Sequence, residues 1–165
     1  MAYKKKSWQE KMADKKGIPK ILNLEPNFPC YGPAVKMGAK AGDKVVLVNP
    51  SEVEEIMREI PKGRLITIYE VCKKLAKKYR VEAACSLTTG IFIMTAANAA
   101  EEMKREGKEN VLPYWRTLKA QGFLNEKYPG GAERHKELLE QEGHRVMKRG
   151  KRYHVPDFEK YLVSA

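Results

Sequence analysis

Residues 110–142, NVLPYWRTLKAQGFLNEKYPGGAERHKELLEQE, are the part of the chain from which the rest of the sequence is best interpreted. The stretch opens with a turn of proline, two aromatic residues and arginine at positions 113–116. A pair of glycines at 130 and 131 then precedes a short helix, which we expect to end at Glu142-Gly143-His144. Two helix signals come before this stretch and a strongly basic hairpin comes after it. The functional interpretation of the chain therefore depends on the 113–116 turn.

The composition is that of a soluble globular protein. The chain has 165 residues, of which 42% are hydrophobic and 32% charged, enough for one domain with an appendage. No apolar run reaches the ~18 residues of a membrane span, and the N-terminus lacks the apolar centre of a secretory signal. We therefore expect a cytoplasmic protein without a membrane partner.

The cysteines and histidines do not predict a metal or cofactor site. Cys30, Cys72 and Cys85 are odd in number, far apart in the sequence and without Cys-x-x-Cys spacing or local pairing with a histidine. Cys72 falls on an apolar helix face and is interpreted as a small buried hydrophobic residue. Cys85 precedes a predicted helix start, where a thiol pKa can fall.

The net charge of +11, from 32 basic and 21 acidic residues, indicates an anionic partner, most often nucleic acid. The alternative is a generally basic, solvated surface. Clustering of the charge on elements that could enter a groove would favour a nucleic-acid partner over this alternative. Between Gly143 and Pro156 the chain has five basic residues and no acid, on a segment that predicts a β-hairpin with its turn at 149–150 and with Val146 and Tyr153 facing inward. These basic residues are Arg145, Lys148, Arg149, Lys151 and Arg152.

The domain organisation is predicted to be an N-terminal arm followed by one folded domain. Residues 1–42 are basic and rich in proline, and we expect them to be largely irregular because the proline density of 17–42 opposes regular structure. A β-branched run at 43–49 predicts a strand and opens a domain over 43–165. The arm is a candidate surface for a protein partner.

Three helices are predicted in the part of the domain before residue 110. Ser51 with Glu54, and Thr67 with Glu70, have capping-box spacing; the second box predicts a helix over 68–79. A third helix is expected from about Thr89 to Arg105, with one side of small residues at Thr95, Ala96, Ala97 and Asn98. A helix, a turn, a helix and then a hairpin describe a winged helix-turn-helix, so the predicted fold class is mainly α with small β-hairpins.

From about residue 60 to the end, the order of these signals resembles the DNA-binding domain of O6-alkylguanine-DNA alkyltransferases and their alkyltransferase-like relatives. That family has a Pro-x-Gly-Arg-Val-x-Thr start, which here is PKGRLIT at 61–67, and a helix ending in Leu-Leu-x-x-Glu-Gly, which here is at 138–143. The chain is also similar to small bacterial proteins filed with this family that share Pro-Tyr-Trp-Arg and Asn-Glu-Lys-Tyr-Pro-Gly-Gly. The resemblance implies a winged helix that binds duplex DNA.

The departures from the family pattern concern its chemistry. Tyr114 and Trp115 occupy the positions of the family's nucleophilic cysteine and its histidine, whereas Arg116 and Glu142 are kept. A phenol with a pKa near ~10 is a poor nucleophile at neutral pH, and an indole has no lone pair available to act as a base. The resemblance therefore implies a former active site without alkyl transfer. Tyr114 then either forms an aromatic wall of a base-sized pocket or packs with Trp115 in the core.

The resemblance also implies a DNA-contacting surface. It consists of the small residues Thr95, Ala96, Ala97 and Asn98 on the third helix, together with the five basic hairpin residues. The small run lacks the arginine with which the family fills the space left by a flipped base.

Three functions follow as hypotheses. The first is a non-catalytic DNA-binding protein that recognises alkylated guanine in DNA repair. The second, which is the main alternative, is a winged-helix interaction or regulatory module that binds protein or RNA. The third is an enzyme with altered chemistry that uses Cys85, Glu142 or a histidine. The position of the N-terminal segment distinguishes the first two hypotheses. If this segment covers the 95–100 face, that face cannot dock on DNA in the family's manner.

Overall fold

The computed structural model describes residues 6–14 and 18–163, and the chain is mainly helical with small sheets. No helix among these residues is both long enough and apolar enough to cross a membrane. The helices are α1 (Trp8–Ala13), α2 (Tyr31–Lys36), α3 (Pro50–Arg58), α4 (Ile68–Tyr79), α5 (Ser86–Arg105) and α6 (Gly131–Gln141). The strands are β1 (Lys20–Asn23), β2 (Lys44–Leu47), β3 (Ile66–Thr67), β4 (Ala83–Ala84), β5 (Thr117–Leu118), β6 (Met147–Arg149) and β7 (Arg152–His154). Short 3-10 helices span Tyr114–Arg116, Ala120–Gly122 and Phe158–Tyr161.

Capping boxes begin both α3 and α4. For α4, Thr67 and Glu70 form the predicted box, and the helix covers the predicted residues. For α3, the predicted Ser51 box is wrong, because the cap is Asn49, paired with Glu52. Pro50 occupies the first turn of α3, where its fixed φ suits the helix and its missing N–H costs nothing.

Helix α5 is longer than predicted at its N-terminal end. It begins at Ser86 rather than near Thr89 and ends at Arg105, as expected. Its N-cap residue, Cys85, makes no side-chain cap hydrogen bond, so the sequence carried no capping signal at this position. The start of α5 therefore lies one turn closer to α4 than the sequence indicated.

Three small sheets connect the helices. Strand β2 pairs antiparallel with β1 and parallel with β4, and β3 pairs parallel with β5. The predicted basic hairpin is confirmed as β6–β7, although its two-residue turn is Gly150-Lys151, since Arg149 pairs with Arg152. Gly150 adopts a φ of +67°, which favours glycine in such a turn.

The interpretation that proline density excludes regular structure from 17–42 is wrong. The segment contains β1 and α2, and Leu24 and Ala34 are buried in one cluster with Val45 and Cys85. Proline is tolerated in the first turn of α2 because Pro33 needs no intrahelical partner there. The division of the chain at residue 43 stays a prediction, although β1 pairs with β2 across that boundary.

Two further clusters complete the core. The larger one lies among α3, α4 and α5 and includes Tyr114 and Tyr128. The other lies beneath the hairpin and consists of Leu65, Leu118, Leu124, Leu139 and Val155. Trp115 packs against both clusters, so the 113–116 turn lies between them.

Candidate nucleic-acid interface

Tyr114 lies in the core. Its side chain is 1% exposed, and its hydroxyl donates to Oε1 of Glu101 on α5 at 2.7 Å. The ring meets Trp115 and Tyr128 edge-to-face, with centroid distances of 5.4 and 5.1 Å. Burial, followed by the hydrogen bond to Glu101, raises the pKa of the phenol well above its usual range. Of the two predicted roles for Tyr114, the structure supports core packing and not a pocket wall.

Arg116 and Glu142 form a largely buried ion pair beside this turn. Nε and Nη2 of Arg116 donate to the two carboxylate oxygens of Glu142 at 2.9 and 2.7 Å, and Nη1 donates to the carbonyl of Ile60 at 2.8 Å. Burial raises the pKa of Glu142, but hydrogen bonds from Arg116 outweigh it and the net shift is downward. Glu142 faces the turn as the sequence predicted, and its oxygens are occupied by Arg116.

His135 is a buried structural residue on α6. Its Nδ1 accepts the backbone N–H of Asn125 at 3.0 Å, so the proton on Nε2 is donated to the carbonyl of Trp115 at 2.8 Å. Burial lowers the pKa of His135 to about 4, despite that carbonyl. His135 therefore joins α6 to the 113–116 turn as a neutral imidazole.

The three cysteines are buried thiols. Cys30 and Cys85, distant in sequence, share one buried cluster. Burial and, next, the proximity of Cys85 raise the pKa of Cys30 to about 11, and burial raises that of Cys72 to about 12. The described residues contain no group of three or more His, Cys, Asp or Glu arranged to hold a metal ion.

The small-residue face of α5 is inaccessible, contrary to its predicted contact with DNA. Thr95, Ala96 and Ala97 are each at most 5% exposed. Asn98 is half-buried, and its amide donates to the carbonyl of Met94 at 2.9 Å. Small side chains permit close packing of helices as readily as close approach to DNA, and here they pack.

Helix α1 lies over this face. The Glu102 carboxylate accepts the backbone N–H groups of Trp8 and Gln9 at 3.1 and 3.2 Å, which caps the start of α1. Met12 packs against the main core cluster. A cavity of about 190 Å³ between α1, α3 and α5 is lined in part by Ala96 and Ala99. The N-terminal segment therefore covers the 95–100 face.

A larger open cavity lies beside the first half of α5. It has a volume of about 520 Å³ and is enclosed by α5, the 29–33 segment and the loops around 118–127. Leu87 and Ile91 line it and are 52% and 49% exposed. Its other lining residues include Pro29, Pro33, Met94, Leu118, Lys119, Asn125 and Lys127. The sequence interpretation missed this site; its available signal was the pair of large apolar residues four apart on one helix face.

The basic hairpin is bonded to the 120–124 loop, whose neighbouring residues line this cavity. All five basic hairpin residues are exposed. The N–H of Val155 donates to the carbonyl of Gly122 at 3.0 Å, and the Arg152 guanidinium lies 4.0 Å from the centroid of the Phe123 ring. The 120–124 loop thus joins the cavity to the hairpin, and Lys119 and Lys127 add positive charge at the rim.

The fold is that of alkyltransferase-like proteins. A crystal structure of S. pombe Atl1 in complex with damaged DNA containing O6-carboxymethylguanine matches with a TM-score of 0.50 and 18% identity, over 70% of this chain and 94% of that chain. A structure of S. pombe ATL in complex with DNA matches with the same TM-score and coverage at 15% identity. No family model and no curated protein sequence matches the chain. At these identities the likeness shows a shared fold, as the sequence resemblance predicted.

Proposed function

We propose that this protein binds duplex DNA without catalysis and recognises alkylated guanine as part of DNA repair. The observation that carries the proposal is the open cavity beside α5, which is lined in part by two lysines and is connected to the basic hairpin through the 120–124 loop. Cavities of several hundred Å³ with apolar walls and a few polar groups are typical of ligand sites, and an extruded base has that chemistry. The shared fold with Atl1, whose structure contains damaged DNA, supports this choice of ligand.

In this proposal α4 and α5 act as a helix-turn-helix and β6–β7 as the wing. The contact surface of α5 is its first half, around Leu87 and Ile91, because the 95–98 face lies beneath α1. Arg145, Lys148, Arg149, Lys151 and Arg152 would contact phosphates.

The absence of alkyl transfer belongs to the same proposal. A nucleophile must reach the reacting carbon, and the Tyr114 hydroxyl is buried, protonated and bonded to Glu101. Glu142 is bonded to Arg116 and is not free to activate a base.

Duplex binding is tested by titration at several salt concentrations. The logarithm of the association constant should fall steeply and linearly with the logarithm of salt, with a slope of about −0.9 for each phosphate neutralised. Replacing Lys148, Arg149 and Lys151 by glutamine should make the slope shallower by about 2.7. The DNA-binding proposal fails if no complex forms even at low salt.

Lesion recognition is tested with matched duplexes that do and do not contain O6-methylguanine. The wild type should prefer the alkylated duplex, and Ile91→Asp, which places a charge in the cavity, should remove the preference. Ile21→Asp is the matched control, because Ile21 is 47% exposed and lies outside the cavity. Equal affinity of the wild type for the two duplexes would contradict lesion recognition and would mean that the protein binds DNA without regard to alkylation.

One observation favours a second candidate, a regulatory module that binds RNA or protein. Helix α1 covers the 95–100 face, so that docking surface is replaced by an intramolecular contact. Competition between a DNA duplex and an RNA duplex of the same sequence decides between the nucleic acids. Stronger binding of RNA, or of neither, would favour the second candidate.

A further inference from the structure

The exposed side of α4 carries a stripe of one aromatic and three basic residues. Tyr69, Lys73, Lys77 and Arg80 are all exposed and fall on one side of the helix at its natural spacing. The Lys73 ammonium lies 5.3 Å from the centroid of the Tyr69 ring. At a rise of 1.5 Å per residue, the stripe is roughly 17 Å long.

The stripe is not neutralised by acids of the protein. Within the described ranges 6–14 and 18–163, no carboxylate forms an ion pair with Lys73, Lys77 or Arg80. The nearest acids in sequence are engaged elsewhere: Glu70 accepts hydrogen bonds from Thr67, and Glu82 accepts one from the backbone N–H of Lys44. The stripe therefore presents uncompensated positive charge to solvent.

Arg80 adds an independent observation. It ends α4 in the left-handed conformation, with φ of 55° and ψ of 45°, where glycine is strongly preferred. Its backbone N–H caps the helix by donating to the carbonyls of Ala76 and Lys77. Its side chain is exposed and forms no ion pair among the described residues, so its charge faces solvent.

The stripe begins at the end of α4 that lies beside the cavity. Ile68, the residue before Tyr69, lines the cavity, and a Cβ on Gly90 of α5 would lie 3.4 Å from Cδ1 of Ile68. The N-terminal end of α4 thus lies against the cavity-lining part of α5.

We infer that Tyr69, Lys73, Lys77 and Arg80 form a phosphate-binding stripe, and that a duplex bound at the cavity extends its backbone along α4. This inference rests on the proposed function, since it concerns the path of the same DNA. The stripe fits a regularly spaced polyanion, because its cations repeat along the helix without acids between them. It binds without reading sequence or lesion.

The test is the salt dependence of duplex binding by the triple variant Lys73→Gln, Lys77→Gln, Arg80→Gln in the full chain. Loss of three phosphate contacts should make the slope shallower by about 2.7 relative to wild type, equally for plain and O6-methylguanine duplexes. Lys78→Gln is the matched control on the same helix, because Lys78 is paired with Glu52 at 2.7 Å and should leave the slope near that of wild type. Thermal unfolding followed by circular dichroism verifies that each variant is folded.

A wild-type slope in the triple variant overturns the phosphate stripe and leaves the DNA-binding proposal intact. A change confined to the alkylated duplex also overturns it, because a phosphate contact acts on both duplexes. Absence of duplex binding by the wild type overturns the stripe together with the proposed function.

Discussion

At the scale of single residues, the buried histidines link stability to pH. Burial lowers the pKa of His135 from 6.5 to about 4, and it also lowers the pKa of His144. Between pH 6.5 and about 4, the unfolded chain binds a proton at His135 that the folded chain does not. The stabilising effect of the neutral imidazole is thus complete above pH 6.5 and is lost as the pH falls towards about 4.

We therefore expect the free energy of unfolding to fall with decreasing pH over this window, with His135 contributing at most about 1.4 kcal/mol per pH unit. Urea titrations at pH 7, 6, 5 and 4.5 measure the slope. In His135→Gln the slope should be shallower by that contribution, whatever the variant's stability at neutral pH. Identical slopes in the two proteins would contradict the assignment of His135 as a buried neutral group.

Arg80 allows backbone strain to be separated from charge. Arg80→Gly should raise the free energy of unfolding by about 1 kcal/mol, because glycine adopts the left-handed conformation without a Cβ penalty. Arg80→Ala removes the same charge and keeps the strain, so it should not be more stable than wild type. Both variants should show the same reduced salt slope in DNA binding. A glycine variant no more stable than the alanine variant would mean that the backbone conformation at residue 80 costs nothing.

At the scale of elements, the first backbone N–H groups of α1 are bonded to a carboxylate of α5, in addition to the cap that Ser7 provides. Glu102→Gln weakens the cap on the N–H groups of Trp8 and Gln9 and should reduce the local stability of α1 by about 1 kcal/mol. Hydrogen exchange of the α1 amides should become roughly fivefold faster, while exchange in α4 is unchanged.

Glu106→Gln is the matched control for this element. Glu106 lies one turn further along α5, accepts a hydrogen bond from the Gln9 side chain and forms an ion pair with Lys108, but accepts none from the backbone of α1. It should leave α1 exchange close to that of wild type. Equal effects of the two variants would show that α1 is held by general charge attraction and not by the cap.

Elements with local signals could be predicted from the sequence, and those without them could not. The bounds of α4 followed from Thr67 and Glu70 because a capping box is a contact within one turn. The start of α5 was placed too late, since Cys85 provides no side-chain cap. Strands β3, β4 and β5 have two residues each, too few for a periodic pattern. Their pairing depends on tertiary contacts.

The candidate site shows the same limit. The basic hairpin was predictable because its charges are contiguous in sequence. The cavity was not, since its walls come from residues distant in sequence, around 29–33, 86–94 and 118–127, together with Ile68. The small residues at 95–98 suit either DNA or a packed helix, and only the position of α1 decides between them.

At the scale of the whole molecule, the region that contains β1 and α2 contributes to the core. Leu24 and Ala34 are buried with Val45, and β1 pairs with β2. We expect removal of residues 1–42 to reduce the free energy of unfolding by at least about 3 kcal/mol, from loss of this apolar burial. Removal of residues 1–14 deletes α1 and should preserve cooperative unfolding, because α1 contains no buried residue. Denaturant unfolding of the two truncated chains measures the difference, and wild-type stability of 43–165 would restore the arm-plus-domain division.

The burial of Tyr114 bears on whether a single substitution could give this chain a reactive thiol at the turn. The position is occupied by a large ring that packs on two aromatic neighbours and bonds to Glu101. Tyr114→Cys would therefore leave an internal void under the turn, with the new thiol facing Trp115 and Tyr128. An accessible thiol at position 114 would require the neighbouring side chains to change together, so we expect the single variant to show no alkyl transfer.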